Sequence, residues 1–229
     1  MHVEFKRGVN GIASSIGIPK LEKLAFKNCV GIEKFEINPA KLEILSIISS
    51  IEDVFESRWL APHLKVIKSL WLCGSLLMHM DASMFPTAIN LQVMKLYRLN
   101  FACRKQLAVA MLLLKKCPNL CELHILGADE IGPKDEREAA SRLLEDPDNC
   151  VVIQKLKMLN TIKIVSYHSS ALNMLFIIML LSKSPALERF IVKFGCMNAP
   201  EVRKIQRMLE RIPRASSYAH IVCTDIDKV

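Results

Sequence analysis

The chain has 229 residues, 51% of them hydrophobic, and carries 31 Lys and Arg against 23 Asp and Glu, a formal net charge of +8. Such an apolar content is enough to bury a sizeable core and excludes an intrinsically disordered chain. The longest strongly apolar run, Leu172 to Leu181, is interrupted by Asn173 and is about half the roughly 20 residues of a membrane-spanning helix, so it reads as a buried helix and no membrane partner is expected.

In chain order, a strand template Leu-x-x-Leu-x-Leu recurs. It fits Leu21, Leu24 and Phe26; Ile32, Phe35 and Ile37; Leu42, Leu45 and Ile47; and Ile67, Leu70 and Leu72. It fits again at Leu91, Met94 and Leu96; Leu120, Leu123 and Ile125; Leu159, Ile162 and Ile164; and Leu187, Phe190 and Val192. The first residues of these triplets are 11, 10, 25, 24, 29, 39 and 28 positions apart. Most of the later spacings fall near the roughly 20 to 29 residues of a leucine-rich repeat, whereas the first two leave no room for a helix. Because successive side chains of a strand point to opposite faces, the last two apolar positions of each triplet enter one core and the residue between them faces out.

Parallel strands need crossovers, and residues 103–116 and 170–182 have the periodicity of helices that supply them. The second is capped by Ser169 or Ser170, and Pro118 and Pro185 end the two helices. The words around those prolines match: Leu113 to Ile125 recurs 67 positions later as Leu180 to Val192. Between the copies, Asp135 to Leu144 is expected to form a helix with Ala139, Ala140, Leu143 and Leu144 on one face. A last helix begins at Asn198 with Glu201 closing a capping box. Its Val202, Ile205 and Leu209 face the array, and Arg203, Arg207 and Arg211 form an outward basic ridge, either a solvated face or a site for an acidic partner. Ala219 to Cys223 reads as a closing strand. The expected fold is therefore α/β, an irregular leucine-rich repeat solenoid with parallel strands on the concave face and helices on the convex face.

The charge is unevenly spread. Residues 1–120 hold 16 Lys and Arg against 9 Asp and Glu, residues 121–150 hold 3 against 9, and residues 151–229 hold 12 against 5. An acidic stretch thus interrupts a basic body, which suggests electrostatic selection of a partner as much as nucleic-acid affinity, or else a solvated surface with no specific partner. The eight cysteines include no Cys-x-x-Cys pair and are read as reduced and packed. Cys117 and Cys121 have no second close Cys or His pair to complete a zinc site, so no metal is expected. Phosphate-binding glycine loops, His-Glu-x-x-His and Gly-x-Ser-x-Gly are absent, and no catalytic residue or cofactor is assigned. Basicity alone, without a zinc finger or an RNA-recognition motif, is weak support for nucleic-acid binding. No secretion signal heads the chain, so a cytoplasmic or nuclear location is expected.

Ile18-Pro19-Lys20-Leu21-Glu22-Lys23-Leu24, Leu64-Lys65-Val66 and Cys117-Pro118-Asn119-Leu120 resemble the repeats of plant F-box/FBD/LRR-repeat proteins. Leu159-Asn160-Thr161-Ile162-Lys163-Ile164, Leu180 to Glu188 and Pro213 to Ile221 resemble the FBD region of that family. On this basis residues 1–126 are read as leucine-rich repeats, 127–150 as an acidic insertion and 151–229 as FBD-like repeats with a cap. The loop Tyr167-His168-Ser169-Ser170-Ala171 lacks the Gly and Glu associated with the family at that place. The F-box that would precede the repeats is not found, and the chain is expected to begin inside the array. The resemblance implies the substrate-recognition part of an F-box subunit of an SCF-type ubiquitin ligase, not an enzyme by itself. A Skp-type adaptor would then be bound only where an F-box is supplied, and a free-standing binding module is the alternative. The expected partner is a protein lying along the outward strand positions, where Trp71, Lys95, Tyr97, His124, Lys163 and Lys193 combine aromatic area with positive charge.

Overall fold

The computed structural model describes residues 1–6, 14–16, 19–29, 35–37, 41–48, 57–128, 132–145, 155–166, 170–195 and 197–225. The strands are β1 (His2–Lys6), β2 (Ser14–Ile16), β3 (Lys23–Lys27), β4 (Phe35–Ile37), β5 (Ile44–Ile48), β6 (Ser69–Cys73), β7 (Val93–Leu99), β8 (Glu122–Gly127), β9 (Thr161–Ser166), β10 (Arg189–Phe194) and β11 (His220–Asp225). The helices are α1 (Ser57–Leu64), α2 (Gly74–Leu77), α3 (Arg104–Lys116), α4 (Lys134–Glu145), α5 (Ala171–Lys183) and α6 (Ala199–Arg211).

Nine strands form one parallel sheet in the order β1-β3-β5-β6-β7-β8-β9-β10-β11, so every strand lies beside its predecessor in the sheet's chain order. The register aligns His2, Lys23, Ile44, Ser69, Val93, Glu122, Thr161, Arg189 and His220. These positions are 21, 21, 25, 24, 29, 39, 28 and 31 residues apart. The triplet Ile32, Phe35 and Ile37 is the exception to the expected array: Phe35–Ile37 is β4, which pairs in parallel with β2 as a separate two-stranded sheet, and Ile32 lies outside the described residues. Two units of 21 residues have little room for a helix, and among the described residues their return legs hold the short strands β2 and β4. The same alternating pattern marks a strand in either sheet, which is why spacing misplaced β4 and passed over β1.

The core follows from the alternation. Leu24, Leu45, Leu70, Met94, Leu123, Ile162 and Phe190 stand in one row across the sheet, and all are buried. Phe26, Ile47, Leu72, Leu96, Ile125, Ile164 and Val192 make the next row, equally buried. Each such side chain contributes about 1.5–3 kcal/mol relative to exposure. Helices close the other side of this layer. In α3, Leu107, Ala110, Met111 and Leu114 are buried; in α5, Leu172, Phe176, Met179 and Leu180 are. The helix expected within the acidic stretch is α4, whose Ala140, Leu143 and Leu144 join the same core as it packs against α3 and α5. Ser170 caps α5 by accepting from Asn173 N at 3.0 Å. Asn198 and Glu201 form the reciprocal capping box of α6, with both bonds at 3.0 Å.

One turn recurs at the entrance to the strands. Glu43 O accepts from Lys68 N and Ser69 N, Gln92 O from Cys121 N and Glu122 N, and Asn160 O from Glu188 N and Arg189 N. The carbonyls of Met1, Glu22, Lys68 and Cys121 take the same pair of donors from the next unit. Two asparagines tie neighbouring turns further: Asn90 Nδ2 donates to Lys65 O at 2.6 Å and Asn119 Nδ2 to Ile89 O at 2.8 Å.

At the far end of β7 the pairing with β8 shifts between Tyr97 and Leu99, and Arg98 takes φ 54°. The Arg98 carbonyl then presses on Gly74, where a Cβ would overlap it and lie 2.7 Å from Gln106 Oε1. That Gln106 oxygen is already engaged, accepting from Asn100 N at 2.9 Å. Gly74→Ala is expected to lower unfolding free energy by about 1–3 kcal/mol in urea titration. Gly132→Ala, whose Cβ would meet only Ala102 among the described residues, at 3.8 and 3.9 Å, is expected to be close to neutral on that criterion.

Candidate functional site

All six outward residues singled out in the sequence lie on strands of the large sheet, and each is half-buried. Register sorts them. Trp71 pairs with Lys95, Lys95 with His124, and His124 with Lys163, so these four occupy one row across β6, β7, β8 and β9. With neighbouring strands about 4.8 Å apart, the row extends about 14 Å. Tyr97 and Lys193 belong to the next outward row, which runs Tyr97, Leu126, Val165 and Lys193. Tyr97 meets the first row, while Lys193, on β10, lies three strands from Tyr97 and is not among the residues that line the central cleft.

The row's apolar end is a cluster of rings and charge. Lys95 Nζ lies over the Trp71 ring, 4.1 Å from its centroid, a cation–π contact. The Tyr97 ring stands diagonally across at 6.3 Å with an interplanar angle of 50°. Trp71 Nε1 donates to Ser69 Oγ at 2.9 Å, which fixes the indole's orientation. Ser69 precedes Trp71 by two residues and therefore shares its face of the strand.

Beyond Lys95 the surface falls into a cleft of about 220 Å³ lined by Lys95, Tyr97, His124, Leu126, Lys163 and Val165. Leu126 and Val165 give it an apolar wall, and Lys95 and Lys163 flank His124 from the two adjacent strands. Glu122 Oε2 is 3.4 Å from His124 Nε2. Burial holds the imidazole below its ordinary pKa; Lys95 and Lys163 push the same way, and Glu122 opposes them. Burial also raises the Tyr97 phenol, with Lys27 pulling in the other direction, so the hydroxyl stays protonated and able to donate at neutral pH. The arrangement offers a carboxylate two cationic donors across a neutral imidazole, beside a ring pair that can cover an apolar side chain.

Ser69, Glu122, Leu126 and Val165 were missed as members of this surface. A signal existed for the first two, which stand two positions before Trp71 and His124 on the same faces. Leu126 and Val165 likewise stand two positions after His124 and Lys163 on the same faces, but their apolar character hid them among core residues.

Two cysteines away from this face are subdued. Burial pushes the Cys117 thiol up to about 12, and burial together with Glu210 pushes Cys223 up to about 11, which keeps both as protonated thiols. Among the described residues no group of three His, Cys, Asp or Glu could hold a metal ion, and no helix is long and apolar enough to cross a membrane. Comparison of the chain with models of protein families, with curated proteins and with solved structures finds no match.

The His124 shift has a definite sign. Because the folded state disfavours the protonated ring, the unfolded state binds more protons between the folded and ordinary values, and this contribution to stability, present above about 6.5, is lost as pH falls through that window. An NMR titration should place His124 below the ordinary imidazole value, and Lys95→Ala should move it back up, since one repelling charge is gone. An unchanged His124 titration in Lys95→Ala would remove Lys95 from the site's electrostatics.

Proposed function

We propose that the outward face of the sheet is a protein-docking surface, and that its partner presents acidic side chains next to an apolar or aromatic one. The observation that carries this reading is the single row of Trp71, Lys95, His124 and Lys163 on four adjacent strands, with the Lys95 ammonium held over the indole. Aromatic residues are enriched at interface centres, with charges at their rim, and Trp and Tyr lose little conformational freedom when covered. Half-burial of Trp71 and Tyr97 means that their rotamers are already constrained before a partner arrives.

The sequence resemblance supports a more specific role for the same surface. In an F-box/FBD/LRR-repeat protein the repeats would hold the protein destined for ubiquitin transfer, and the chain would be the target-binding part of an SCF-type ligase subunit. The basic row then selects the target by complementary charge, which governs encounter rate and choice of partner more than total affinity.

The test is a selection from a random peptide-display library on the purified chain. Enriched peptides should combine Asp or Glu with an aromatic or aliphatic residue, and their binding should weaken as salt rises. Trp71→Ala with Tyr97→Ala should weaken binding roughly tenfold or more, as expected for interface anchors. Lys95→Glu with Lys163→Glu should shift enrichment toward basic peptides. Peptides without an acidic bias, or identical selection by variants whose circular dichroism is unchanged, would defeat the proposal.

A further inference from the structure

The last helix carries a second surface, remote from the chemistry of the strand row. Val202, Ile205 and Leu209 of α6 are buried, and the helix packs against β11. One large apolar residue of the same helix is left open: Met208 is 44% exposed. Together with Met197, Ile205, Ile212 and Pro213, Met208 lines a groove of about 810 Å³. Lys204, Arg207 and Arg211 border it, and among the described residues Glu201 is the only acid that does.

Positions 197, 201, 204, 205, 208, 211 and 212 recur at helical spacing, so the groove follows the axis of α6. A helix of 13 residues is about 20 Å long, enough to lie along nearly four turns of another helix. A solvent-facing helix normally turns a polar face outward. In α6 the outward basic ridge at Arg203, Arg207 and Arg211 stands instead beside exposed methionine, whose flexible thioether adapts to varied apolar side chains.

We propose that this groove receives an amphipathic helix of a partner protein whose polar face is acidic. Its apolar residues, spaced at i, i+3, i+4 and i+7, would enter the groove over Met208, Ile205 and Ile212, while its carboxylates meet Lys204, Arg207 and Arg211. Charge complementarity selects this occupant over others. A basic helix would meet three cations of its own sign. An anionic bilayer would satisfy the cations, but a flat surface puts no apolar ridge into a concavity. A second copy of the chain offers acidic α4, yet the apolar residues of that helix, Ala140, Leu143 and Leu144, are already buried in its own core.

The experiment is fluorescence polarisation with a labelled synthetic helix of about 18 residues, Leu on one face and Glu on the other, against its Lys-substituted twin. The intact chain is expected to bind the Glu peptide and to bind the Lys peptide at least about tenfold more weakly. Met208→Glu should weaken the Glu peptide about tenfold, and Arg207→Glu with Arg211→Glu should reverse the preference; both change exposed positions, and circular dichroism checks the fold. Trp71→Ala should leave this binding unchanged, which separates the groove from the strand face. Equal binding of the two peptides, no effect of Met208→Glu, or equal binding of a proline-interrupted Glu peptide overturns the proposal. So does any of three other results: binding to phosphatidylserine vesicles without binding to the peptide, self-association abolished by Met208→Glu, or peptide binding that appears only after residues 226–229 are removed.

Discussion

The interaction on which the structure depends is a backbone carbonyl shared by two donors. At the entrance to each inner strand of the sheet, one oxygen of the preceding unit accepts from two successive amides of the next, as Gln92 O does from Cys121 N and Glu122 N. Two bonds from adjacent amides determine where the following strand starts as well as its direction. A slip of one residue would send every side chain of that strand to the opposite face, taking a buried row such as Leu123 and Ile125 into water. The penalty for misregister is thus paid by the core, and the shared carbonyl is the local device that avoids it.

The outward face inherits its order from the same device. Trp71, Lys95, His124 and Lys163 are separated by 24, 29 and 39 residues, yet they align because each strand is set against its neighbour at the turn. Proximity then alters their chemistry. Lys95 is drawn over the indole, His124 is held neutral by burial between two cations, and the Tyr97 phenol is kept protonated. The Arg98 irregularity ends the regular β7–β8 pairing just past Tyr97, which places the ring pair next to a break in the sheet.

Much of this was legible before the structure. Helix ends were announced by the Ser169-Ser170 pair and by Asn198 with Glu201, and the apolar triplets marked eight of the strands. The outward position of all six candidate residues followed from a period of two. Sheet membership was not legible, because an apolar alternation such as Phe35 and Ile37 suits either sheet and the two β2–β4 return legs imitate a shortened repeat. Nor was the grouping within the face: which outward residues share a row depends on register between units of unequal length, and that lies in the turn hydrogen bonds. The groove on α6 escaped for a third reason. Met208 stands outside the buried Val202, Ile205 and Leu209 stripe, and sequence periodicity does not distinguish an open apolar residue from one covered by a neighbour.

Setting the register at each turn also frees the rest of the chain from keeping time. Units of 21 and of 39 residues deliver their strands to the same sheet in the same alignment, so insertions and deletions in a return leg leave the outward rows undisturbed. The two surfaces can therefore diverge independently over generations. Substitutions at places such as Trp71 or Lys163 would change what the strand face recognises, while gain or loss of residues behind it would reshape the opposite side without a compensating mutation in front.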